Sequence, residues 1–166
     1  MEFVNERTGT LEIGRRDCLR LLAQHQGDVG RVAFVQRDEP LIFPVNFAMV
    51  SEMVVFRTGV GTKLDAALEG ARMAFELDRI DLAARTGWSV VVRGHARVIT
   101  SPNELFALRA TPLRSFVDTS KDGWVMIDTE VISGRRVPDH GMFVLHPSER
   151  ATASTDHGND DDPREP

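Results

Sequence analysis

The sequence predicts a mainly-β domain: six short antiparallel strands, with two or three short helices between them, closed or partly closed into a barrel. Three observations lead there. Apolar strand-like runs follow one another closely from Gly30 onward and are joined mostly by turn residues rather than long helices. The 166 residues suit one domain, since domains commonly hold about 100–200. Hydrophobic residues make up 42% and charged residues 27%, which supplies a core and excludes wholesale disorder.

Arg15–His25 places Cys18, Leu19, Leu22 and Ala23 on one helical face, and Gly27 ends that helix. Gly30–Gln36, Leu41–Val50 and Met53–Thr58 form an antiparallel meander, turned at Arg37-Asp38-Glu39-Pro40 and again at Ser51-Glu52. Pro44 has no N–H for a ladder, which puts it at an edge or a bulge. Lys63–Glu69 reads as a short helix closed by Gly70. Arg72–Leu77 and Trp88–Ile99 are strands separated by a polar connection, Asp78–Gly87, and Gly94 interrupts the second where a strand would bend around a barrel corner. Ser101, Pro102 and Glu104 form a capping-box start for a helix running to about Ala110. Trp124–Ser133 is the last strand.

The domain is expected to span residues 1–150, followed by an acidic, disordered tail over 151–166. That tail holds Asp156, Asp160, Asp161, Asp162 and Glu165 against Arg164, so −4 of the formal net charge of −5 resides there. The body, at about −1, has no broad basic field for nucleic acid. No apolar run is long enough to span a bilayer, and Met1–Thr10 lacks the apolar stretch of a secretory signal, so a cytoplasmic protein without membrane attachment is expected. The one cysteine excludes a disulfide framework, and Cys18 on an apolar helix face reads as a buried thiol. None of the five histidines has a partner at metal-ligand spacing, so no metal site is expected; His95 alternates with the polar side of its strand. Ser89 and Ser133 lack the G-x-S-x-G context of a serine hydrolase.

Three segments could carry chemistry. Arg57-Thr58-Gly59-Val60-Gly61-Thr62-Lys63 sets two cations, two hydroxyls and two glycines between a strand and a helix, which suits a terminal phosphate. It matches neither the P-loop nor the dinucleotide fingerprint, whose third glycine is here Leu64, and a hairpin end with a capped helix explains the same residues. Phe43-Pro44-Val45-Asn46-Phe47 could present unpaired backbone groups and the Asn46 amide to the polar edge of a flat heterocycle, or could be a bulged core strand. Trp88 could cover a planar ligand or an interface, or fill the core. Arg135-Arg136 is either an anion contact or a solvated pair.

Taken in order, Val29-Gly30-Arg31-Val32-Ala33-Phe34, Pro44-Val45-Asn46-Phe47, Phe56-Arg57-Thr58-Gly59-x-Gly61-Thr62-Lys63-Leu64-Asp65, Phe75-Glu76-x-Asp78, Gly87-Trp88-Ser89-Val90-Val91-Val92-Arg93-Gly94 and Gly134-Arg135-Arg136 resemble the flavin-binding split-barrel group. The resemblance is to its pyridoxamine 5′-phosphate oxidase-like branch, which includes nitroimidazole-reductase-type proteins, and it covers roughly residues 15–137. It implies a six-stranded split β-barrel that forms a homodimer with FMN at the subunit interface. It further implies that Arg57, Thr58 and Lys63 hold the FMN phosphate, that Pro44, Val45, Asn46 and Phe47 line the isoalloxazine, and that Trp88 approaches from near the dimer seam. The implied activity is a flavin-dependent oxidoreductase acting on a small molecule. A deazaflavin-dependent reductase, with Arg135 and Arg136 near its acidic cofactor tail, and a non-catalytic flavin or haem binding or sensing protein, with His95 or His140 on the haem, are the alternatives. The segment after Val137 lacks the Arg-, Trp- and Pro-rich substrate-binding end of the true oxidase, and no dedicated acid or base is evident.

Overall fold

The apolar alternation between residues 29 and 58 folds as the expected meander. β3 (Val29–Gln36) buries Gly30, Val32 and Phe34, β4 (Glu39–Val50) buries Val45, Phe47 and Ala48, and β5 (Met53–Thr58) buries Val54, Val55, Phe56 and Thr58. The structure, a computed structural model, describes residues 3–5, 10–59, 61–108, 111, 113 and 123–138. Both hairpins turn on two residues of positive φ, Arg37-Asp38 at 51° and 65° and Ser51-Glu52 at 49° and 66°. These are the mirror-image turns that match strand twist, made here without glycine. The first turn is therefore tighter than expected, and Pro40 already lies in β4.

After β5 come α2 (Thr62–Leu68), β6 (Arg72–Asp81), β7 (Thr86–Val98), α3 (Pro102–Leu108), β8 (Gly123–Ile127) and β9 (Val131–Val137). Pairing in the order β7-β6-β3-β4-β5-β8, with β8 returning to β7, closes a six-stranded antiparallel barrel. Its strands are the six that the sequence predicts, with corrected ends. The supposed connection 78–87 is mostly strand, since β6 and β7 stay paired out to Asp81↔Thr86. The supposed single strand Trp124–Ser133 is two strands, broken at 128–130. Two further strands precede α1 (Arg15–Gln24): β1 (Phe3–Asn5) and β2 (Thr10–Ile13), which extend the sheet from β9.

β7 belongs to both layers. Its first half, Gly87–Arg93, pairs with β9, and its second half, Ala96–Val98, pairs with β8. Gly94 sits at the change of partner, where a Cβ would lie 1.8 Å from the Asp128 carbonyl oxygen, while the Asp128 N–H donates to the His95 carbonyl at 3.0 Å. The break between β8 and β9 and the bend of β7 are thus one close crossing. α1 covers the inner side of the extension: Cys18 is fully buried, donates from Sγ to the Ile13 carbonyl at 3.3 Å, and would collide with a Cβ at Gly134. Burial first, and the Asp17 charge second, push its thiol pKa up. The core joins Phe47, Phe56, Phe75, Leu22 and Leu77 across both layers.

The expected capping box does not form, because Glu104 pairs with Arg97 at 2.6 Å instead. Residues 109–110 and the tail at 151–166 lie outside the described residues, as do His140 and His157. Among the described residues no helix is long and apolar enough to cross a membrane.

Gly94→Ala sets a methyl against backbone that cannot move without opening the β7–β8 seam. It is expected to cost about 2–3 kcal/mol or more, as overpacked cores do, read as a lower urea midpoint; an unchanged midpoint would contradict the close crossing.

Candidate cofactor-binding site

The β4–β5 ladder runs from Val50↔Met53 to Phe47↔Phe56 and stops there. Beyond that pair the two strands part. β4 continues from residue 46 back to 39 paired with β3, and β5 continues through Arg57 and Thr58 paired with β8. The resulting split has two lips: Phe43-Pro44-Val45-Asn46 on one side, and Arg57-Thr58 with the start of α2 on the other. These are the first two segments that the sequence singles out, and the fold brings them face to face. Pro44 lies in the one-sided stretch of β4, where its missing N–H leaves no second ladder short of a donor.

The second lip carries the cations. The Arg57 guanidinium lies over the Trp124 ring, 5.2 Å from its centroid, and Trp124 is its register partner on β8. Thr58 is buried and its hydroxyl donates to the Gly59 carbonyl at 3.2 Å. Gly61 takes φ 137° and ψ −169°, a backbone state open essentially to glycine alone, and so starts α2 at Thr62. One residue on, the Lys63 ammonium stands 4.3 Å from the centroid of the Phe43 ring, reaching across to the opposite lip.

Sequence reasoning places four β4 residues around a planar ligand, and the structure sorts them. Val45 and Phe47 face the core, where Phe47 packs on Phe75 at 4.7 Å between centroids. Pro44 is exposed, and Asn46 is half-buried with its side-chain amide donating to the Gly27 carbonyl at 3.0 Å. The side chains of Val45 and Phe47 are therefore committed to the core and the Phe47 carbonyl to the Gly27 N–H at 2.8 Å, which leaves Pro44 and Asn46 as the more open of the four.

Trp88 stands apart from the split but joins it through the turn after α1. Its ring lies 5.1 Å from that of His25, His25 Nδ1 lies 3.0 Å from an Asp28 carboxylate oxygen, and that oxygen also accepts from Arg79. The same turn is tied to β4 by Gly27 N–H to the Phe47 carbonyl at 2.8 Å and Met49 N–H to Gln26 Oε1 at 3.0 Å. His25 and Asp28 do not stand out in the sequence as site residues. Their signal was the three-residue spacing around Gly27, whose φ of 89° folds the two side chains together.

His95 is exposed, as expected, and bonds to Glu130, whose carboxyl it holds below the usual range. Among the described residues no group of three metal-ligating side chains comes together.

Asn46→Ala strands the Gly27 carbonyl and loosens both β4 and the His25 turn. The expected loss is about 1 kcal/mol in urea unfolding, the net worth of one such bond; no loss would mean that the amide does not hold the turn.

Comparison with known proteins agrees with this fold. A family model described as pyridoxamine 5′-phosphate oxidase matches residues 14–136. The uncharacterized protein Rv0080 of Mycobacterium tuberculosis is 35% identical over 132 residues, which is 76% of this chain and 85% of that protein. A solved structure of an FAD binding protein from Mycobacterium smegmatis is 32% identical with a TM-score of 0.63, covering 75% of this chain and 96% of that one. An FAD-binding protein from Mesorhizobium loti shares the fold at 19% identity, with a TM-score of 0.64 over 76% of this chain and 96% of its own. The match extends over the barrel, both lips of the split and β9: the chain belongs to the pyridoxamine 5′-phosphate oxidase family.

Proposed function

We propose that this protein is an FMN-dependent oxidoreductase that works as a homodimer in the cytoplasm, with the flavin held at the subunit interface and a small molecule as substrate. The observation that carries the reading is the split between β4 and β5, with an unpaired strand edge on one lip and Arg57 and Lys63 on the other. A phosphate dianion asks for cations and N–H donors, and a flat heterocycle with polar edges asks for strand backbone; the lips offer the two side by side. The M. smegmatis relative's FAD supports the flavin class, because FAD and FMN share the ring and its first phosphate.

In this reading a bound flavin supplies hydride and electron transfer, and the chain supplies everything else. Arg57 and Lys63 neutralise the phosphate. Thr58 and the backbone opened by Gly61 line the turn beside it. The backbone of Pro44–Phe47 orients the ring edge, and donors aimed there bias its redox potential. Trp88, backed by His25, covers the ring from the seam.

The second copy is supported by the outer sheet face. Ile42, Ala33, Ala74, Arg93 and Val131 form one cross-strand row; Ile42 and Val131 on it are exposed at 65% and 41%, and Val35, two residues along β3 from Ala33, at 64%. Exposed apolar side chains gathered on one face mark an association surface. Next to that row Arg31 joins Glu76 at 3.0 Å and Asp78 at 2.7 Å, and burial pushes the Glu76 carboxyl up.

Titration with FMN, FAD and a deazaflavin coenzyme tests the cofactor. FMN should bind, and Arg57→Ala with Lys63→Ala should weaken it by several kcal/mol, since each charge-assisted bond contributes about 1.5–3. Unchanged affinity in the double variant, or preference for the deazaflavin, would overturn the assignment. Ile42→Lys should convert a dimer to a monomer in sedimentation; a wild-type monomer would remove the seam.

A further inference from the structure

The barrel parts in a second place. β3 and β6 are paired over three register positions only, from Arg31↔Glu76 to Ala33↔Ala74, although β3 runs on to Gln36 and β6 starts at Arg72. A cavity of about 740 Å³ occupies the gap. Phe34, Val35 and Leu41 line it from the β3–β4 hairpin, and Met73, Ala74 and Val131 from the strands beyond. In the strand order that hairpin stands between this gap and the β4–β5 split, and Phe34 stacks on Phe43 of the split's lip with 6.0 Å between centroids.

The charge around this gap is one-sided. Arg72 and Arg93 line the cavity, and among the described residues no carboxylate does. Arg72 is paired with Glu130 at 3.0 Å. The Arg93 guanidinium has no ion pair or hydrogen bond among the described residues. It stands in a cross-strand row whose other members, Ile42, Ala33, Ala74 and Val131, are all apolar. The nearby carboxylates on this face are engaged: Glu130 also meets His95, and Glu76 and Asp78 both meet Arg31. The charge left over beside the cavity is thus that of Arg93. A ligand that fits brings an apolar body for the gap and one anionic group for this guanidinium, a charge-assisted pairing. The volume is that of ordinary small-molecule sites, which run from about 300 to 1,000 Å³. Where a second copy lies on this row, the same anion spares the seam a buried charge without a counter-charge.

We propose that the gap between β3 and β6 is a binding site, separate from the split, for a small amphipathic monoanion: an apolar body with one carboxylate, which Arg93 selects. The assignment rests on the cavity and its one-sided charge, and needs neither the flavin nor the second copy.

The probes are octanoate, kept below the concentration at which it forms micelles, and its neutral counterpart octanamide. Both are titrated by calorimetry into the full-length protein, with FMN affinity measured separately. Octanoate should bind about tenfold or more tightly than octanamide, as one charge-assisted bond requires. Arg93→Gln should erase that difference by weakening octanoate alone, and Arg93→Lys should restore part of it. Arg135→Gln removes a guanidinium four residues along β9 from Val131 and outside the cavity, and should leave the difference intact. Equal binding of the two probes to the wild type, a preference that survives in Arg93→Gln, or one lost equally in Arg135→Gln overturns the proposal. The wild-type comparison decides even if a variant does not fold. FMN binding without octanoate preference removes this site and leaves the flavin reading standing. Octanoate preference without FMN binding does the reverse.

Discussion

Beyond the Phe47–Phe56 pair β4 and β5 each keep a strand partner, but no longer each other. The parting is tolerable because each strand is fully employed on its other side, β4 by eight register positions with β3 and β5 by five with β8. Two layers of a barrel can then diverge without collapsing. What remains is a strand edge with polar backbone and no ladder, facing a strand end that carries Arg57. Such an edge is a liability in a sheet, open to any chain that could pair with it. Here Lys63 leans across it onto Phe43, which places positive charge over the gap.

The same economy recurs beside the split. The turn after α1 has hardly any secondary structure of its own, yet it ties β4 to β7: Gly27 and Gln26 bond to β4, and His25 packs on Trp88. α1 can present that turn because Cys18 and Leu22 anchor it in the core against Gly134, where any larger residue would lift the helix away. The core, the helix, the split and Trp88 are therefore mechanically continuous through a few named contacts.

The sequence disclosed all six barrel strands, because each is a short apolar run, alternating in β3 and in much of β6 and β7 and continuous in β5 and β8. It also disclosed both lips of the split, since Pro44 inside a strand and glycines ahead of Lys63 are local signals. What it hid has physical reasons. β6 and β7 stay paired beyond Leu77, where the hairpin is solvated and its residues are polar, so alternation fades although the ladder continues. The break at 128–130 has neither glycine nor proline; its cause is Gly94 on a distant strand, whose missing side chain admits the Asp128 backbone. β1 and β2 are too short to show a period. The inward turn of Val45 and Phe47 is a matter of register, and the His25–Asp28 pair depends on a glycine dihedral that no composition reveals.

On the function proposed above, the split between β4 and β5 holds the anionic end of a flavin beside its ring. A crystal structure grown with FMN tests it most directly. Density for the phosphate is expected against Arg57 and Lys63, with the ring along the backbone of Pro44–Asn46. A phosphate at any other corner of the barrel, with the split left to solvent, would contradict it.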